Sequence, residues 1–196
     1  MPWIETIPYE AATGSLREAY DRVKGPGERV DNIILAQSLR PHAIAGHFAI
    51  YRAALHDPAL ASPRWFLQAV GVLVSLLNGC AYCAEHHTVS MGRFLGDPAR
   101  TAALRSALEA GTYEEGFEPA EAAALRYAAK LTREPWTVTA ADIEAIRSVG
   151  MDDARILEVN QVAAYFAYAN RTVLGLGVDL HGDSLGSGPD GGVVEA

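Results

Sequence analysis

The residue types most able to do chemistry in this chain lie in one short segment, Cys80-Ala-Tyr-Cys83-Ala-Glu-His86-His87, which holds its only two cysteines. The cysteines are three positions apart, and His87 follows the second by four, so all three can share one stripe of a helix. Two neighbouring thiols beside an imidazole suit reversible oxidation, with His87 placed to take or return a proton. The spacing therefore predicts a redox site.

The flanking sequence predicts that this segment begins a helix. Residues 62–78 start with Ser-Pro and are apolar throughout, which indicates a buried helix, and Gly79 then interrupts it. Helical spacing resumes at residues 80–95 and stops at Gly96. The cysteines are thus expected in a first helical turn, where free amides and the helix dipole lower a thiol pKa. Side chains at this spacing sit ~5–6 Å apart at Cβ, whereas a disulfide needs roughly 3.8 Å, so the bond requires local adjustment and should reduce easily.

Two other interpretations of the cysteines stay open at this point. They could be small buried apolar residues, or they could bind zinc together with His87 or His86. A closed zinc site needs four ligands, and the sequence shows no second cluster of cysteine and histidine. His86 points about 100° away from His87 around a helix, so we expect it at the rim or on the surface.

Composition narrows the class of protein. The chain has 196 residues, 49% of them hydrophobic, and a net charge of −8. It can bury a sizeable core, and its acidity argues against nucleic acid or an anionic membrane as partner. The first residues lack the pattern of a signal peptide, and the longest apolar stretch, 69–77, is too short for a bilayer. We therefore expect a cytoplasmic protein, in which a disulfide is usually transient and catalytic.

Helix signals recur along the chain and strand signals hardly occur, which predicts an all-α fold. The Ser15-Leu-Arg-Glu18 pattern is typical of a capping box. We expect one domain over residues 1–181, followed by a glycine-rich tail, 182–196, with little structure of its own. Besides the two helices around the cysteines, the sequence predicts helices near 15–24, 32–39, 41–56, 98–110, 119–131, 140–149 and 152–174.

The string Ser75-Leu-Leu-Asn78-Gly79-Cys80-Ala-Tyr82-Cys83, with His87 four positions later, resembles the active-site signature of the alkylhydroperoxidase and carboxymuconolactone decarboxylase-like family, most of all its peroxidase-related branch. Segments 123–132, 150–153 and 170–171 are similar to that branch at matching distances, and the resemblance covers about residues 3–181. It implies a multihelical all-α bundle of the alkylhydroperoxidase-like type that assembles into homo-oligomers.

The resemblance also implies roles for individual residues. Cys83 matches the cysteine that attacks peroxide, Cys80 the one that resolves the sulfenic acid as a disulfide, and His87 a member of a proton relay. The family's relay glutamate lies twelve residues before the first cysteine, where this chain has Gln68. Glutamine can orient a histidine but accepts no proton at neutral pH, so the relay is incomplete.

Other residues near the cysteines have open roles. Tyr82 replaces a histidine found in some members and is either a donor to peroxide or a packing residue. Asn78, Tyr82 and His86 are candidates to line the pocket. Glu85 faces the wrong side of the helix to replace the glutamate. Asn170 and Arg171 either line the site or hold a helix end, and we favour the structural role.

These observations predict a thiol-dependent peroxidase with an antioxidant role, without cofactor or metal, that reduces hydrogen peroxide or small organic hydroperoxides. Its reductant is a thiol or a protein of unknown identity. The alternative is a thiol–disulfide oxidoreductase or redox sensor that acts on a protein partner, which the absence of the glutamate would tolerate. A third class is a helical oligomer whose function lies in another pocket. Decarboxylation is disfavoured, since that branch lacks the cysteine pair.

Overall fold

The computed structural model of the protein describes residues 2–25 and 28–186, and within these ranges its regular structure is helical, with no strand. This confirms the all-α prediction. Three short 3₁₀ turns, at Tyr9–Ala11, Tyr113–Glu115 and Pro135–Thr137, supplement the helices. The α-helices of the described residues are α1 (Gly14–Val23), α2 (Asn32–Leu35), α3 (Pro41–Leu55), α4 (Arg64–Leu77), α5 (Ala81–Leu95), α6 (Pro98–Ala110), α7 (Pro119–Arg133), α8 (Ala140–Ser148) and α9 (Asp153–Leu176).

The described residues group into two compact units, and the boundaries between them fall inside α3 and α9. One unit is drawn from residues 1–52 and 171–196, and the other is Ala53–Asn170. The single domain over 1–181 stays a prediction. Of the predicted tail, residues 182–186 carry turns, and 187–196 lie outside the described residues.

The first unit is organised around the buried face of α1. Leu16, Ala19, Tyr20 and Val23 recur at helical spacing and pack with Ile44 into one apolar cluster. The predicted capping box at Ser15 is wrong, because the helix begins one residue earlier, after an extended Thr13 whose side chain makes no capping hydrogen bond. The predicted helix 32–39 is also shorter in the structure, since α2 ends at Leu35 and Pro41 restricts the backbone before it.

The second unit is organised around α4. Every side chain from Phe66 to Ser75 is buried, because α4 packs against α5, α6 and α7. This explains why its sequence is apolar on all sides. Gly79, with φ +70°, turns the chain out of α4, and Gly96, with φ +63°, ends α5. Both interruptions agree with the sequence prediction.

The start of α5 differs by one residue from the prediction. Its first helical residue is Ala81, and Cys80 is the N-cap with φ −90° and ψ 85°. Cys80 therefore precedes the first turn, whereas Cys83 lies within it. The difference arises because Gly79 and Cys80 together make the turn between the two helices.

The length and hydropathy of the helices also bear on membrane insertion. Among the residues that the structure describes, no helix is both long enough and apolar enough to cross a bilayer. This agrees with the prediction from the longest apolar stretch of the sequence.

Burial of His47 predicts that the protein loses stability in mild acid. Burial lowers the pKa of His47 from 6.5 to about 4. Between these values the unfolded chain binds a proton that the folded protein excludes, so the stabilisation is complete above pH 6.5 and is lost as pH falls toward 4. The loss should reach about 3 kcal/mol from this group. Urea unfolding as a function of pH measures it.

His42 supplies a matched control, because it lies on the same helix α3 and is exposed. The variant His47→Gln should show a shallower decline of the unfolding free energy from pH 7 to 4, and His42→Gln should keep the slope of the unmodified protein. Equal slopes in the two variants would show that His47 is not the group responsible.

Candidate redox site

The two cysteine side chains meet at the junction of α4 and α5. Their Sγ atoms are 3.0 Å apart, and both thiols are free. Each residue is nearly inaccessible, with an exposed fraction of 1% for Cys80 and 3% for Cys83. This arrangement is a hydrogen-bonded dithiol in which a modest approach of the sulfurs would form a disulfide.

The two thiols have opposite acidities. The hydrogen bond between the two thiols is the main cause of the lowered pKa of Cys80, with help from the Cys83 amide and the Asn170 side chain. The pKa of Cys83 is raised, first by the same hydrogen bond and second by burial. Cys80 is therefore the more acidic thiol of the pair.

Gln68 and His87 form the second part of the site and connect α4 to α5. The Nδ1 atom of His87 lies 2.6 Å from the Gln68 carbonyl oxygen. Because a carbonyl oxygen only accepts, Nδ1 carries the proton and Nε2 is left as the basic nitrogen. The surrounding protein lowers the pKa of His87 to about 3, mainly through desolvation, although part of its surface stays accessible. His87 is neutral at physiological pH.

Phe166 of α9 holds the other side of the imidazole. The rings of His87 and Phe166 are 4.6 Å apart at their centroids and nearly perpendicular, at 85°. Phe166 also presses on α4 at Gly71, where an added Cβ atom would lie 2.2 Å from its Cε2. Glycine at this position lets the ring approach the backbone of α4.

Asn170, also on α9, binds to the turn that carries Cys80. It is fully buried, its Oδ1 accepts from Asn78 Nδ2 at 2.9 Å, and its Nδ2 donates to Ser75 Oγ at 3.1 Å. The same side chain acts on both thiols: it contributes to the lowered pKa of Cys80, and it opposes the larger effects that raise the pKa of Cys83. The structure thus brings Asn78, a predicted site candidate, and Asn170 beside the cysteine pair.

The remaining predicted residues of α5 make contacts with other side chains. The prediction of His86 at the surface is wrong: it is buried, and its ring packs on Tyr82 with centroids 4.6 Å apart. The reason is that this side of α5 is covered as well. Glu85, half-exposed, pairs with Arg105 at 3.2 Å and takes no part in the site.

The zinc alternative has no support in the structure. Within the described ranges no group of three or more histidine, cysteine, aspartate or glutamate side chains is arranged to hold a metal ion. A closed zinc site needs four such ligands.

Comparison with known proteins bears on the fold. No protein-family model matches the chain, and no curated protein sequence matches it. Solved structures do match. A peroxidase-related protein from Ralstonia eutropha, described as an alkylhydroperoxidase AhpD core, superposes with a TM-score of 0.75 over 91% of each chain at 21% identity. A peroxidase-related protein from Silicibacter sp. gives 0.67 at 23% identity, over 83% of this chain and 80% of its own.

A third similar structure has a different name. It is a debrominase, solved as a cysteine-to-alanine variant with 2,3,4-tribromopyrrole bound, with a TM-score of 0.65 at 15% identity, over 84% of this chain and 81% of its own. The chain therefore has the alkylhydroperoxidase-like all-α fold that the sequence predicted. Because proteins of this fold carry more than one named activity, the activity has to be argued from the site.

Sequence reasoning missed Phe166 as part of the site, gave Ser75 no role beyond its place in the signature, and favoured a structural role for Asn170. One signal was present: Gly71 interrupts an apolar helix, where glycine costs about 1 kcal/mol relative to alanine. A glycine retained in a helix interior often marks a close contact. Its partner, 95 residues later in the chain, could not be named from the sequence.

The contact at Gly71 predicts that Gly71→Ala destabilises the protein. The new methyl group would collide with the buried Phe166 ring, and overpacking of this kind costs roughly 1–3 kcal/mol. Thermal unfolding measures the loss. Since Phe166 contacts His87, the imidazole NMR signals of His87 should shift in the same variant.

Gly46 is the matched control, because it also lies within a helix and an added Cβ would have no atom within 4 Å. Gly46→Ala should raise stability by about 0.5–1 kcal/mol. If Gly71→Ala proves as stabilising as Gly46→Ala, Phe166 does not pack as described.

Proposed function

We propose that the protein is a thiol-dependent peroxidase that reduces hydrogen peroxide or small organic hydroperoxides, with an antioxidant role. The observation that carries the proposal is the buried, hydrogen-bonded dithiol, whose sulfurs are 3.0 Å apart. The resemblance of the sequence and the fold shared with peroxidase-related proteins support it. As further parts of this proposal, the protein acts in the cytoplasm as a homo-oligomer, and without a cofactor.

The reaction needs two steps at the cysteine pair. In the first, a thiolate attacks the terminal peroxide oxygen, the O–O bond breaks, and the leaving alkoxide or hydroxide takes a proton to give an alcohol or water. The attacking sulfur becomes a sulfenic acid. In the second, the other thiol displaces water from it, and a disulfide forms. An external dithiol then donates two electrons and two protons to restore the pair.

The family resemblance and the pKa values of the two thiols favour different attacking cysteines. The resemblance assigns attack to Cys83, and our proposal keeps this assignment, with Cys80 as the resolving residue. The pKa is lowered for Cys80 and raised for Cys83, so attack by Cys83 requires the less acidic thiol of the pair to give up its proton. His87 would assist, since its basic Nε2 can take or return a proton.

The second candidate, a thiol–disulfide oxidoreductase or sensor acting on a protein, is favoured by Gln68 in place of the relay carboxylate. Burial weighs against a protein disulfide as the substrate, because exposed fractions of 1% and 3% leave little room for it to reach either sulfur without opening of the fold. The same limit applies to the reductant of the peroxidase cycle, and a small dithiol meets it more easily than a protein does. A small hydroperoxide needs much less space. We therefore place the peroxidase first.

Single cysteine variants test the proposal and the order of attack. With peroxide and a dithiol reductant, Cys83→Ser should abolish reduction. With peroxide and no reductant, Cys80→Ser should consume one equivalent of peroxide, form a sulfenic acid on Cys83 and stop. In the unmodified protein, mass analysis after mild oxidation should find an intrachain Cys80–Cys83 disulfide.

Each departure has a definite meaning. If Cys83→Ser consumes one equivalent of peroxide and Cys80→Ser does not, the attacking residue is Cys80. The lowered pKa of Cys80 favours that order. No peroxide consumption by the unmodified protein, together with reduction of a protein disulfide, would replace the peroxidase with the second candidate. Two free thiols after oxidation would exclude both.

The missing relay carboxylate predicts that Gln68→Glu is a faster enzyme. A carboxylate 2.6 Å from His87 Nδ1 would stabilise the imidazolium and raise its pKa toward neutrality. General acid–base catalysis is worth roughly 10²–10⁴-fold, and a gain of about tenfold or more in peroxide reduction is expected. Stopped-flow kinetics measures it.

Gln161→Glu, an exposed substitution on α9, adds the same charge away from the site and should leave the rate unchanged. Equal rates for Gln68→Glu and the unmodified protein would show that the proton follows a route that does not include this pair.

A further inference from the structure

We infer that Asn170 is the positioning residue of the cysteine pair, whose side-chain amide orients the turn between α4 and α5 and presents a donor to the thiolate. This inference rests on the proposed function only for its catalytic meaning. The effect of Asn170 on thiol ionisation does not depend on a peroxide substrate.

The hydrogen bonds determine which way the Asn170 amide faces. Asn78 approaches with an NH₂ group, at 2.9 Å, so the atom of Asn170 that receives it must be the carbonyl oxygen. The NH₂ group of Asn170 therefore faces Ser75, to which it donates at 3.1 Å. Asn78 thus orients the amide so that its donor side faces Ser75 at the end of α4, whose carbonyl accepts from the Cys80 amide.

The same contacts join Asn170 to the backbone that holds Cys80. Ser75 accepts from Asn170 through its hydroxyl, and its carbonyl accepts from the Cys80 amide at 2.8 Å. Asn78 lies two residues before Cys80, and Gly79 at the turn separates the two. Asn170 therefore binds two points of the segment 75–80, and it fixes the position of Cys80 relative to α9.

Burial makes this arrangement consequential. Asn170 and Ser75 are both fully inaccessible, so an amide without partners there would cost roughly 1–3 kcal/mol. Its N–H groups act where no water competes, and a donor in such surroundings stabilises an anion strongly. The lowered pKa of Cys80 has Asn170 among its causes. A nonpolar residue of similar size would keep the packing and remove this stabilisation.

The test is a titration of the reduced protein, in which thiolate formation is followed by ultraviolet absorbance and the Cys80→Ser/Cys83→Ser double variant is subtracted as background. Asn170→Leu should raise the pH at which the thiolate forms. Asn160→Leu is the matched control. Asn160 lies on the same helix, and its side chain donates to Tyr127 at 2.7 Å, so it should leave the thiol titration unchanged.

Circular dichroism decides whether Asn170→Leu folds. If it does not, Asn78→Ala replaces it, because this variant frees the amide to rotate while Asn170 stays in place, and it should move the thiol titration upward by a smaller amount. An upward shift that Asn160→Leu does not reproduce supports the inference. The same titration in Asn160→Leu and Asn170→Leu, or no shift in a folded Asn78→Ala, overturns it. A protein without peroxidase activity that still shows the shift would contradict the proposed function and keep the inference.

Discussion

The ring of Phe166 rests against the backbone of α4 at Gly71 and edge-on against His87 of α5, and this three-helix contact fixes the site. A methyl group at Gly71 would intrude to 2.2 Å from the ring, so the spacing of α4 and α9 depends on the absence of a side chain there. With the ring in this place, the imidazole can reach Gln68 on α4 at 2.6 Å. The geometry of the site is in this sense a result of packing.

The low polarity of the same packing determines the charges of the site. Burial keeps His87 neutral, with a pKa of about 3, and Gln68 adds no charge beside it. The lowered pKa of Cys80 is caused mainly by the hydrogen bond with Cys83, with a further contribution from Asn170. A site of this kind favours ionisation of one thiol, but it offers only a weak base, which is the physical reason that a carboxylate at position 68 should matter.

Much of this could be predicted from the sequence, and the misses have definite causes. The glycines at 79 and 96 marked the ends of α4 and α5 because they occupy backbone conformations that other residues avoid. His86 was expected at the surface, since helical periodicity gives a direction around a helix axis but not the number of neighbours that cover it. The capping box at Ser15 was wrong because a local pattern of residue types cannot show that Gly14 had already begun the helix.

The sequence by itself determined the chemistry that is available: two thiols and an imidazole on one helical stripe, a glutamine where the resembled family has a glutamate, and an all-α chain to carry them. These follow from residue identity and local spacing, which act over one or two helical turns. Only the tertiary structure decided which thiol is the more acidic, and that Phe166, Ser75 and Asn170 belong to the site. Those facts depend on contacts between α4, α5 and α9, which join residues about 90 positions apart, and on the burial that makes each hydrogen bond strong.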